Sequence, residues 1–232
     1  MQAQEQVQAI VSALLSGNLD VWEQGYYDVL FRQAIAERQG DWPRFDYPYE
    51  KRHVLYRYVN DVIVKNRPID FLEFGVYQGQ SFRDWLSINT RPESRFFGFD
   101  SFEGMPEDWA HGRCEKGTFT VNGQLPASDD PRATFVKGWF NQTLEPFLAA
   151  NQSSFGPERQ MILHLDADLY SSTLYVLTTL SRIIRRGTIL VFDEFVPRDE
   201  FAAFHHFTRA TGWNWRILAA RKTLGKLALV LY

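Results

Sequence analysis

Cys114 is the only cysteine in this chain of 232 residues, which excludes an intrachain disulfide and any zinc site built from several cysteines. Long hydrophobic runs are also missing. No apolar stretch approaches the ~18 residues that a membrane span requires, and the opening Met-Gln-Ala-Gln-Glu-Gln-Val-Gln has no basic segment of the kind that starts a secretion signal. The expectation is therefore a cytoplasmic protein with no membrane partner. Positive charge is not in excess: the formal net charge is -3. The one basic cluster, Arg182, Arg185 and Arg186, falls late in an expected helix, where solvation and the helix dipole account for it, so nucleic acid is not expected as a partner. Gly/Ser-rich linkers and internal repeats are absent too. With 45% hydrophobic residues, the chain can bury one sizeable core. The reading is one structural domain, with residues 1–66 as a helical extension or lid and 67–232 as a ligand-binding core.

What is present is concentrated in residues 69–81, Ile-Asp-Phe-Leu-Glu-Phe-Gly-Val-Tyr-Gln-Gly-Gln-Ser. Phe71, Leu72 and Phe74 suit a strand buried in a parallel sheet, and Phe82, Trp85 and Leu86 recur at helical spacing beyond Ser81. A strand thus runs through a glycine turn into a helix N-terminus. Gly75 and Gly79 allow positive φ and close approach of a ligand, and Ser81 is placed to cap the helix beside its free amides. The carboxylate of Glu73 selects among ligands. It would repel a dinucleotide pyrophosphate, and Gly-x-Gly-x-x-Gly is absent, so a nucleotide-dependent oxidoreductase is disfavoured. A ligand carrying ammonium, sulfonium and carboxylate groups can use both Glu73 and the amides, and S-adenosylmethionine has that charge pattern. A tight turn with no ligand is the other reading of the same residues.

Apolar residues at helical spacing predict helices over residues 7–15 and 21–36, and a third after the aromatic loop 40–49 with Val54, Leu55, Tyr58, Val59, Val62 and Ile63 on one face. The loop itself reads equally as surface packing or as a wall of an acceptor pocket. Residues 95–99 form a second strand ending at Asp100, where a carboxylate can accept hydrogen bonds from ribose hydroxyls or simply begin a turn. Residues 103–131 are too punctuated by Gly and Pro for a stable helix and can serve as a lid. A third strand, 133–137, leads to Gly138, Trp139 and Phe140, which suit an adenine wall or the core. Strands at 161–165 and 187–192 end in Asp166 and in Asp193-Glu194. Brought together at neighbouring strand ends, these three carboxylates would repel one another unless a divalent cation neutralised them. Residues 213–220 and 226–232 complete the sheet as a hairpin with one antiparallel strand.

These blocks resemble a class I methyltransferase, and more narrowly the macrocin O-methyltransferase (TylF-type) family. The carriers are residues 71–81, Phe-Gly-Phe-Asp-Ser-Phe-Glu-Gly-Met-Pro-Glu at 97–107, Val-Lys-Gly-Trp-Phe at 136–140 with Thr143-Leu144, and Leu-Asp-Ala-Asp-Leu-Tyr-Ser-Ser-Thr at 165–173. The resemblance implies a Rossmann-like α/β fold, a seven-stranded, mostly parallel sheet with a C-terminal antiparallel hairpin and helices on both faces. It also implies S-adenosylmethionine as cofactor and a magnesium ion, or another divalent cation, that holds a sugar or glycosylated metabolite for O-methylation. The cofactor-binding set is then Glu73, Phe74, Gly75, Gly79, Ser81, Asp100, Ser101, Gly138, Trp139 and Phe140. Asp166, Asp193 and Glu194 become metal ligands, with Asp166 also the general base. The chain departs from the family at Glu194, where a second aspartate is usual, and in 118–132, which is short for the helix expected there. A protein that keeps the cofactor site without turnover is the competing reading, and the N-terminal helices are a candidate surface for a homo-oligomer.

Overall fold

The computed structural model describes residues 5, 8, 11, 12, 15–17, 19–109 and 114–232; most of the helix expected over 7–15 lies outside them. In chain order the elements are α1 (Leu19–Ala36), β1 (Arg44–Phe45), α2 (His53–Tyr58), β2 (Ile69–Phe74), α3 (Gln80–Ile88), β3 (Arg95–Asp100) and β4 (Ala133–Lys137). They continue with α4 (Phe140–Asn151), β5 (Gln160–Leu165), α5 (Tyr170–Leu180), β6 (Ile189–Phe192), α6 (Glu200–Thr211), β7 (Trp215–Arg221) and β8 (Leu227–Leu231). The strands make one sheet in the order β1-β7-β8-β6-β5-β2-β3-β4. All neighbours are parallel except β8, which is antiparallel to both β6 and β7. This is the class I methyltransferase arrangement expected from the sequence, with an eighth strand: Arg44 and Phe45, in the aromatic loop, pair with Ala220 and Arg221.

β2 is central and buried along its whole length. Its side chains alternate between two apolar layers, Leu72 and Phe74 on one face and Ile69 and Phe71 on the other, as the period of two requires. Helices cover both faces, so the backbone polar groups of the inner strands are paired within the sheet and only strand ends are open to ligands. The other end of the sheet is braced by Asp70, whose fully buried carboxylate takes Arg95 and Arg159 at 2.7 and 2.8 Å.

Two local expectations need correction. The basic cluster does not sit in a helix, because α5 stops at Leu180. Arg185 instead donates to the carbonyls of Phe155, Gly156 and Arg159. Residues 200–211, which gave no helix reading, form α6. It is capped at its end by Gly212 in the left-handed region (φ 76°), whose N–H donates to Thr208.

Candidate active site

A cavity of about 800 Å³ opens at the carboxyl ends of β2 to β5, and both the loop after β2 and the loop after β5 line it. The strand order reverses between those two strands, the crevice where open α/β sheets take their ligands.

The β2 loop is shaped by contacts within the chain. Gly75 turns at φ 91°, and a Cβ there would stand 1.9 Å from the carbonyl oxygen of Asp166, so only glycine lets the β5 loop pass. At Gly79, with φ 77°, a Cβ would meet Pro126 at 2.9 Å. Gly75 lines the cavity; Gly79 does not. The N–H groups of Val76 and Tyr77 donate to Asp100 Oδ2 at 2.8 and 2.7 Å, and that of Phe102 to Oδ1 at 2.7 Å. Asp100 is thus on the wall as a brace of the glycine loop, its carboxylate accepting three backbone N–H groups. Ser101, Gly138, Trp139 and Phe140 also line the cavity, the last three carried by the β4–α4 junction.

Glu73 and Phe74 stand behind this wall. Both are fully buried. The Ser81 hydroxyl, which lines the cavity but does not cap α3, donates to Glu73 Oε1 at 2.5 Å. His164, the cross-strand partner of Glu73, holds the same oxygen at 2.8 Å through Nδ1. Among the described residues Glu73 Oε2 has no hydrogen-bond partner. Phe74 stacks on Phe99 and meets Phe140 edge-on.

The acidic cluster is divided. Asp166, Asp168 and Glu194 face the cavity. Asp193 is turned inward with its side chain 1% exposed. Lys226 forms an ion pair with its carboxylate and also donates to its carbonyl at 2.8 Å. Arg52 reaches it at 3.1 Å, and the Tyr56 hydroxyl donates at 3.2 Å. Burial opposes ionisation of Asp193, yet Lys226, His164 and Arg52 hold its carboxyl below the ordinary range. Asp166 behaves oppositely: burial, then the charges of Asp193 and Asp168, push it well above the usual carboxylate range. Burial and Glu194 raise Asp168 to about 7. Glu200, fully buried at the start of α6, accepts the N–H of Ala167 at 3.3 Å and that of Glu194 at 3.2 Å, tying the β5 and β6 loops together.

This donor set does not fit the three-ligand ion expected from the sequence. The Asp193 oxygens are taken by Lys226, Arg52 and Tyr56, and no group of three His, Cys, Asp or Glu suited to a metal occurs among the described residues. The residues do fit the cofactor, with a flat apolar wall at Trp139 and Phe140, polar groups at Asp100 and Ser101, and a glycine turn between two strand ends.

A family model described as macrocin O-methyltransferase (TylF) matches residues 7–217. The chain belongs to that family. It is an S-adenosylmethionine-dependent O-methyltransferase. One curated relative, demethyldecarbamoylnovobiocin O-methyltransferase of Streptomyces niveus, is 25% identical over 191 residues, 73% of this chain and 70% of its own. Another, the 8-demethyl-8-(2,3-dimethoxy-alpha-L-rhamnosyl)-tetracenomycin-C 4'-O-methyltransferase of Streptomyces olivaceus, is 29% identical over 156 residues, 59% of this chain and 57% of its own. The fold matches the calicheamicin methyltransferase CalS11 with a TM-score of 0.59 at 24% identity, over 99% of this chain and 92% of that one. It matches the O-methyltransferase NovP with 0.55 at 22%, over 78% and 79%.

Sequence reasoning missed the residues behind the site, Tyr56, His164, Glu200 and Lys226, and the wall residue Arg52; Tyr49, at the end of the aromatic loop, does line the cavity. One signal was available. His164 lies in a strand predicted to be buried, and a polar side chain there demands a partner.

Proposed function

We propose that the cavity methylates a hydroxyl of a sugar-bearing small molecule, with Asp166 as the general base. When bound, S-adenosylmethionine would supply an electrophilic methyl group, its S–CH3 bond breaking so that the sulfonium leaves as the neutral thioether of S-adenosylhomocysteine. The observation that carries the reading is that Asp166 faces the same cavity as the glycine loop and the Trp139-Phe140 wall. Its carboxyl, raised well above the usual carboxylate range by burial and the neighbouring charges, is a stronger base than an ordinary aspartate. Asp166 accepts the hydroxyl proton as the acceptor oxygen takes the methyl group. Arg52, 3.5 Å from Asp166 Oδ2, holds that carboxylate in place, and the wall residues fix the approach of the two reactants.

The name of the Streptomyces olivaceus relative, a methyltransferase for the 4' oxygen of a rhamnosyl compound, supports a sugar as acceptor here. The magnesium ion implied by the resemblance has no step in this reading, because Asp193 is committed to Lys226 and Arg52. Transfer of labelled methyl from S-adenosylmethionine to a rhamnosylated polyketide, compared with its aglycone, tests the acceptor class. Label on the glycoside alone is expected; equal labelling of the aglycone would refute a sugar acceptor.

A further inference from the structure

Asp193 is a buried carboxylate surrounded by others, and its charge has to be balanced close by. The chain supplies that balance itself. Lys226, immediately before β8, has a side chain only 3% exposed. Its ammonium bonds both the carboxylate and the carbonyl of Asp193, lies 3.8 Å from Glu194 Oε1, and sits 4.5 Å from the centre of the Tyr49 ring. Arg52 approaches from the cavity side, 3.1 Å from Asp193 Oδ2 and 3.5 Å from Asp166 Oδ2, with its guanidinium 4.6 Å from the same ring. Between them, the two cations touch all three carboxylates at which the family resemblance places a divalent ion.

We infer that Lys226 and Arg52 take the electrostatic place of that ion, so that methyl transfer in this chain runs without a divalent metal. A magnesium ion needs oxygen ligands at about 2.0 to 2.1 Å in near-octahedral order. To ligate Asp193 it would have to displace the Lys226 ammonium from a site closed to water, and the Arg52 charge would repel it. Tyr49 holds the two cations from one side, and the Lys226 bond to the Asp193 carbonyl fixes the ammonium independently of the carboxylate. Arg52 keeps its proton at any working pH, so a fixed positive charge stands beside the base.

The inference rests on the methyltransferase reading of the cavity, and the test separates the two. Mn²⁺ and Mg²⁺ are titrated by calorimetry into the full chain saturated with S-adenosylhomocysteine, for the parent, Asp193→Asn, Lys226→Met, and Lys226→Met with Asp193→Asn. The expected results are no saturable binding by the parent, saturable binding of one ion per chain by Lys226→Met, and loss of that binding in the double variant. Unchanged labelled-methyl transfer after EDTA treatment is expected as well. Saturable one-to-one binding by the parent that Asp193→Asn abolishes would overturn the inference, and so would activity lost to EDTA and restored by Mg²⁺. Should Lys226→Met not fold, the parent titration and the EDTA result decide alone. Failure to bind S-adenosylhomocysteine would instead strike the methyltransferase reading.

Discussion

Asp166 and Asp168 sit where ionisation is costly, and that cost sets the pH at which Asp166 can serve as the base proposed above. Burial and neighbouring negative charge raise Asp166 well above the ordinary carboxylate range, and burial with Glu194 brings Asp168 to about 7. A base acts only when deprotonated, so kcat/KM should rise with pH along a limb that lies above the usual aspartate range and belongs to the coupled pair. Asp168→Asn removes one of the charges that raise Asp166, so that limb should move to lower pH in a profile of methyl transfer; a limb that stays in place would separate Asp168 from the base. Asp100→Ala frees three amides of the glycine and following loops. Cofactor affinity, read by calorimetry, should fall by ~10-fold or more, from hydrogen bonds to a charged group worth about 1.5–3 kcal/mol; unchanged affinity would contradict the bracing role. Asp100, Asp166 and Glu194 were legible because a strand that ends in an acidic residue presents it at the sheet edge. The destinations of Glu73 and Asp193 were not. Period-two alternation puts Glu73 on the face of Phe71, but only the register with β5 shows that His164 meets it there. Asp193 meets Lys226 from 33 residues further on, a pairing that no local spacing encodes.

At the scale of elements, the inner strands were readable from short apolar runs bounded by Gly, Pro and acidic residues. The glycine turn was readable as a turn, but not for its full reason. Gly75 leaves room for the Asp166 carbonyl as well as adopting positive φ, so Gly75→Ala must strain the backbone and push the β5 loop away. We expect about 1–3 kcal/mol of lost stability in denaturant unfolding, together with reduced methyl transfer; a variant as stable and as active as the parent would contradict the packing described here. α6 escaped although Phe201, Phe204 and Phe207 recur at helical spacing and Gly212 marks its end. Its function is equally non-local, since Glu200 acts on amides that belong to two other loops. β1 escaped because a two-residue strand has no period; it exists only through pairing with β7.

Across the molecule, the parallel sheet with its single reversal brings the β2 and β5 loops into one crevice, and residues from the described parts of the 103–131 connection line it. Met105 and Trp109 pack on Leu169 of the β5 loop, and Glu107 accepts the Ser171 hydroxyl at 2.6 Å. Among the described residues no helix is long and apolar enough to cross a membrane. The glycine loop, Trp139, Phe140 and Asp166 line one cavity, so with the roles proposed above, changing Asp166 alone should leave cofactor binding intact. The most direct test is Asp166→Asn, with methyl transfer to a rhamnosylated acceptor and calorimetric binding of S-adenosylmethionine measured on the same preparation. The account predicts kcat lower by at least ~10² to 10⁴ with cofactor affinity nearly unchanged. An Asp166→Asn enzyme as fast as the parent would contradict it.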